Sequence, residues 1–198
     1  MSDLPRKDSI TLTAIGIVHE SGFQGLTTRE IAKREGISEA ALYRHFKNRN
    51  DIVAAVVAYY ANQDHDIVAS LAELDLGPAE SVAYIIERMA AYYEEHPAVS
   101  AIMNAFDSMQ YDAEQAQTAS EIYRFRKLSV ERLLRKAQAE GTLRRAVDPE
   151  LLSSVIWSAF FAQVYEWRGQ GYSYSLRRKT SEAITMLLDM ATENGVME

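Results

Sequence analysis

Residues 28–46, Thr-Arg-Glu-Ile-Ala-Lys-Arg-Glu-Gly-Ile-Ser-Glu-Ala-Ala-Leu-Tyr-Arg-His-Phe, hold the arrangement in this 198-residue chain whose residue types and spacing point to a specific chemistry. That chemistry is non-covalent. Ser38 is a good N-cap for a short helix, and Ile37, Leu42 and Phe46 give the helix one oily side. The opposite side carries Glu39, Ala40, Tyr43, Arg44 and Lys47. Ala40 and Ala41 are short enough to let a backbone approach base edges, and an alanine methyl can meet the methyl of thymine. A polar, small-residue helix face pinned from behind suits entry into the major groove of a duplex. Arg44, like Arg6, is equally readable as a solvated charge.

Other chemistries find little support. The chain has no cysteine, which removes disulfides, thiolate metal sites and a cysteine nucleophile and suits a reducing cytosol. His65 and His96 stand alone, with no H-x-x-x-H pair, so no metal site and no cofactor are expected. Asp64-His65-Asp66 reads as a solvated helical turn. No Ser/His/Asp set, phosphate-cradling glycine loop or carboxylate pair with assignable roles is present, so the chain is not expected to be an enzyme. No run reaches about 18 apolar residues, and the start MSDLPRKDS lacks the apolar core of a signal peptide; a cytoplasmic protein without a membrane span is expected.

The elements that position this face are all helical. Ile10, Ala14, Ile17 and Val18 share one face of a first helix stopped at Gly22. Thr27-Thr28-Arg29-Glu30 has the form of a capping box and starts a second helix that ends at Gly36. Ser38 starts the third. Asn48 caps a fourth, which runs to the low 70s. Further helices are predicted over about 79–95, 98–109, 113–140, 148–168 and 176–193, separated by Leu76-Gly77-Pro78, His96-Pro97 and glycine-bearing turns. The prediction is an all-α chain of about nine helices without a convincing strand.

Charge is uneven. Residues 1–50 hold eight Lys/Arg against six Asp/Glu, a balance of +2, while the whole chain is −7. A basic head on an acidic body fits one nucleic-acid end and one neutral-ligand or partner end. The body carries a Met and aromatic stripe, readable as plain core or as the lining of a pocket for a mostly apolar ligand. The candidate lining residues are Met89, Tyr93, Met103, Phe106, Asp107 and Tyr123. The helix at 148–168 is apolar nearly all round. Leu152, Val155, Ile156, Phe160 and Val164 are predicted to face the core, and Leu151, Trp157, Phe161 and Tyr165 a partner subunit. Leu176, Ile184, Leu187, Leu188 and Ala191 give the last helix a stripe of its own, with Ile184 and Leu188 added to the expected dimer interface.

Residues from about 10 to 52, through Gly22-Phe23-Gln24-Gly25-Leu26-Thr27-Thr28-Arg29 and Gly36-Ile37-Ser38-Glu39-Ala40-Ala41-Leu42-Tyr43-Arg44-His45-Phe46-Lys47, resemble the DNA-binding domain of the tetracycline-repressor (TetR) family. The resemblance covers about a quarter of the chain. It implies a one-component transcription regulator, usually a repressor, that binds a double-stranded operator as a homodimer and answers to a small-molecule effector. The implied domains are 1–50 for DNA and 51–198 for ligand and dimerisation. Thr28 and Arg29 match the contacting start of the family's second helix. Ser38, Glu39, Ala40 and Ala41 match the start of its recognition helix; Tyr43, Arg44 and His45 follow, Tyr43 and His45 at aromatic phosphate-contacting positions. Lys47 and Arg49 match the backbone grip before the fourth helix. Glu39 departs from the many neutral relatives: it either accepts from a cytosine amine or repels phosphate. A protein of the same fold that occupies DNA without sensing any metabolite is the alternative.

Overall fold

The computed structural model describes residues 5–101 and 113–192. Among them there are eight α-helices: α1 Arg6–Gly25, α2 Thr28–Glu35, α3 Glu39–Leu42, α4 Arg49–Ser70, α5 Pro78–Glu95, α6 Ala113–Ala139, α7 Pro149–Gly169 and α8 Leu176–Ala191. Residues 97–101 are helical too, and Leu71–Glu73 form a 3₁₀ turn. The only β pairing among the described residues is an isolated bridge between Leu143 and Thr192. The predicted all-α class therefore holds.

The chain falls into two compact units, Met1–Gln63 with His96–Glu121, and Asp64–Glu95 with Ile122–Glu198. In the first, α1 buries Ile10, Ala14, Ile17 and Val18 as its spacing predicts, and breaks its helical path at Gly22, which takes φ 66°. The carboxylate of Glu35, at the end of α2, accepts from the hydroxyls of Ser9 and Thr13 and from Arg6 Nη1, so α1 and α2 are joined by a nearly buried polar knot. Thr27 caps α2 by accepting from Glu30 N at 3.1 Å. The carboxylate half of the predicted capping box is used otherwise, because Glu30 binds Arg34 Nε at 2.8 Å.

In the second unit, α8 packs on α5 and α7. The core there draws on Val82, Ile86 and Met89 of α5, Val130 and Leu134 of α6, Ile156 and Phe160 of α7, and Ile184 and Leu188 of α8. Each late helix has a local reason to start. Asp148 caps α7 with Pro149 at its first turn, and the Ser175 hydroxyl accepts from Arg178 N to start α8. No described helix is long and apolar enough to cross a membrane.

Candidate nucleic-acid interface and the body

The tight turn between α2 and α3 rests on Gly36, at φ 65° and ψ 30°, the left-handed conformation that only glycine takes without strain. Gly36 N and Ile37 N bond back to Lys33 O and Ala32 O, closing the end of α2. Ser38 then caps α3 by accepting from Ala41 N at 3.1 Å. The regular part of α3 is only four residues. Beyond it Arg44 N and His45 N bond three residues back, and the turn tightens toward Phe46. Leu42 and Phe46 are buried, as predicted.

The opposite side is open. Tyr43 is 49% exposed, and Arg29, Glu39, Ala40, Arg44, His45 and Lys47 are exposed, with Ala41 half-buried. Arg29, Arg44 and Lys47 form no ion pair among the described residues. Arg34, by contrast, is tied to Glu20 at 2.7 Å and Glu30 at 2.8 Å. Its hydrogen bonds hold both carboxyls below the usual glutamate range.

Two residues matched to contacting positions also bind within the head. Arg49 sits at the start of α4, but its Nε and Nη2 donate to Leu26 O at 2.8 Å and Phe23 O at 2.6 Å, clamping the connection between α1 and α2. The Thr28 hydroxyl donates to Glu39 Oε2 at 2.7 Å, linking the starts of α2 and α3. Residue order gives no sign of these links, because each joins residues 11 to 26 positions apart.

In the body, two readings are corrected. Trp157, predicted to face a partner, is 1% exposed, and Ile184 and Leu188 are buried by their own chain. Val155, predicted to be core, is exposed at 41%. At about 100° per residue, Val155 lies on the side of Leu151, Ser158, Ala162 and Tyr165, all exposed, while Trp157 flanks Ile156 and Phe160. On α8, Ile184 and Leu188 line up with Leu176 and Thr180 on the inward face. Leu151 and Tyr165 are open at 64% and 71%, and Phe161 is half-buried. Met186 and Met190 are exposed on α8.

Asp64 is the second correction: it is buried, not solvated. Arg126 Nε and Nη2 donate to its two oxygens at 2.7 and 3.0 Å, and Nη2 also reaches Tyr93 Oη at 3.2 Å. The Arg126 guanidinium lies 5.5 Å from the Trp157 ring centroid. The Trp157 indole N–H has no acceptor among the described residues. A small cavity of about 10 Å³ is lined by Asp64, Ile67, Met89, Phe125, Arg126 and Trp157 among others. Of the predicted lining, Met89 borders this cavity and Tyr93 touches its arginine, while Tyr123 is exposed. Met103, Phe106 and Asp107 lie outside the described residues. A signal for the pair existed: Asp64 continues the buried register of Tyr60 and Ile67, and Arg126 that of Ile122 and Val130. No group of three or more metal-ligating side chains occurs among the described residues.

Comparison with known proteins agrees with this geometry. Residues 10–56 match the family described as bacterial regulatory proteins, tetR family. The nucleoid occlusion factor SlmA of Aliivibrio fischeri (strain MJ11) is 24% identical over 151 residues, covering 75% of this chain and 76% of that protein. The class C tetracycline repressor protein of Escherichia coli is 33% identical over 60 residues, covering 30% of this chain and 27% of the repressor. In three dimensions, the ketosteroid transcriptional regulator KstR2 of Mycobacterium tuberculosis aligns with a TM-score of 0.81 at 17% identity, over 96% of each chain.

Proposed function

We propose that this chain, which belongs to the tetR family of DNA-binding bacterial transcriptional regulators, a non-enzymatic family, is a repressor that binds a pseudo-palindromic operator as a homodimer and lets go when a small molecule enters residues 51–198. The observation that carries the DNA half is α3: pinned by buried Leu42 and Phe46, with Tyr43, Arg44 and Lys47 open and two of its cations unpaired among the described residues. Two copies of that helix, about one duplex turn of roughly 34–36 Å apart, would read two half-sites. The second copy is expected to cover the apolar strip of Leu151, Val155 and Tyr165 on α7 with Met186 and Met190 on α8. That strip replaces the interface expected at Trp157, Ile184 and Leu188.

The effector half rests on the Asp64–Arg126–Tyr93 cluster. A buried ion pair is weak evidence for stability, since a well-packed apolar replacement is often as good. A buried pair beside an unsatisfied indole N–H is a natural place for an incoming polar group. The present cavity has room for about one water, so a larger ligand must displace lining side chains to enter.

The test is a thermal-shift screen of small molecules followed by operator release measured by fluorescence anisotropy. Compounds that raise the Tm and weaken DNA binding support the reading. A protein that binds duplex DNA but never yields to a ligand would favour the second reading, a DNA-occupancy role, to which the likeness to a nucleoid occlusion factor over three quarters of the chain lends weight.

A further inference from the structure

Glu39 is an acidic side chain on a face otherwise built from Arg29, Tyr43, Arg44 and Lys47, and it has no cationic partner among the described residues. A carboxylate so placed would be pushed from any phosphate it approached. The Thr28 hydroxyl on α2 orients it by donating to Oε2 at 2.7 Å. One oxygen is thus occupied by a donor from its own fold, and the other remains open as an acceptor.

Resting on the DNA-binding reading above, we infer that Glu39, oriented by Thr28, is a specificity-determining residue that selects cytosine at one position of each operator half-site. Base chemistry sets the choice. Guanine offers N7 and O6 acceptors in the major groove, and thymine offers O4; both repel a carboxylate. Adenine has an amine, but its N7 acceptor lies beside it. Cytosine presents its N4 amine next to a C–H, so a single acceptor oxygen meets a donor without a neighbouring lone pair. The hydroxyl of Thr28 positions the carboxylate and makes no base contact of its own.

The experiment is selection of bound duplexes from a random pool by the full-length wild type and the E39Q, E39A and T28V variants, followed by affinity measurement on matched duplexes. The wild type selects inverted half-sites with one fixed cytosine. Replacing that cytosine by thymine weakens binding about 5- to 100-fold per half-site. E39Q, nearly isosteric, shifts the preference at that position to adenine, as a side-chain amide pairs with adenine N6 and N7. E39A binds the cytosine and thymine duplexes equally while keeping every other selected position. T28V keeps a weaker cytosine preference. If E39A and E39Q select the same cytosine as strongly as the wild type, the inference fails and the regulator reading survives. If the wild type selects no inverted motif, both fail.

Discussion

At the residue scale, the Asp64–Arg126 pair is the least forgiving interaction in the body. Removing one partner leaves the other charge buried, so Asp64→Ala or Arg126→Met is expected to cost about 3–5 kcal/mol in urea unfolding. The double replacement Asp64→Leu with Arg126→Met removes both charges and is expected to recover most of that deficit. If the double variant is as unstable as either single one, the pair holds something beyond its own charges in place. On the outer face of the head the expectation inverts. Tyr43→Ala with Lys47→Ala should leave the unfolding midpoint near wild type and weaken duplex binding across sequences. The logarithmic salt dependence should become shallower by about one unit for each phosphate that the variant no longer neutralises. An unchanged salt slope would mean that the duplex meets another surface.

At the element scale, caps and turns decide how α2 and α3 stand. Ser38→Ala removes the acceptor for Ala41 N and is expected to lower stability by about 0.5–2 kcal/mol. Gly36→Ala forces a side chain into the left-handed region and is expected to cost about 1–2 kcal/mol, though no atom stands in the way of its methyl. Both are read by thermal unfolding. The link from Arg34 to Glu20 and Glu30 gives a pH signature of known sign. Each carboxyl titrates lower in the folded chain than in the unfolded one. The unfolded chain therefore binds more protons near the ordinary glutamate pKa of about 4.3. The contribution is present above that value and fades as pH falls through the lowered pKa. The stability gap between wild type and an E20Q/E30Q variant should accordingly shrink on going from pH 7 to pH 3.

These helix starts and stops were legible from residue order because their causes are local. Thr27, Ser38, Asn48 and Asp148 each cap an amide two or three residues on, and Gly36 ends α2 by a conformation its type permits. What was not legible depends on distant residues. Arg126 finds Asp64 across 62 positions, and Arg49 reaches carbonyls 23 and 26 positions earlier. The α7 face was misread for a third reason. A helix apolar nearly all round gives periodicity no contrast, so tertiary packing sets its phase, burying Trp157 beside Arg126 and exposing Val155.

At the scale of the whole molecule, the −7 charge does not oppose DNA binding. The field of the body is screened over about 8–10 Å at moderate salt, and the open cations of the head act where they touch. Assembly is the property to test. Sizing of the wild type is expected to give twice the chain mass. Tyr165→Arg with Met186→Glu places charge in the exposed apolar strip of α7 and α8 and is expected to give monomers that bind one half-site weakly and show no preference for paired sites. A dimer that tolerates both changes would place the interface elsewhere.

The four residues of α3 have a consequence for how such a molecule changes over generations. The side chains that hold it (Ser38, Leu42, Phe46) and those that face outward (Glu39, Ala40, Tyr43, Arg44) share no member. Codons of the second group can drift without unfolding the first. On the inferred role of Glu39, one nucleotide change in its codon would alter which address on a chromosome this head answers to, at the cost to the scaffold of only the Thr28 hydrogen bond.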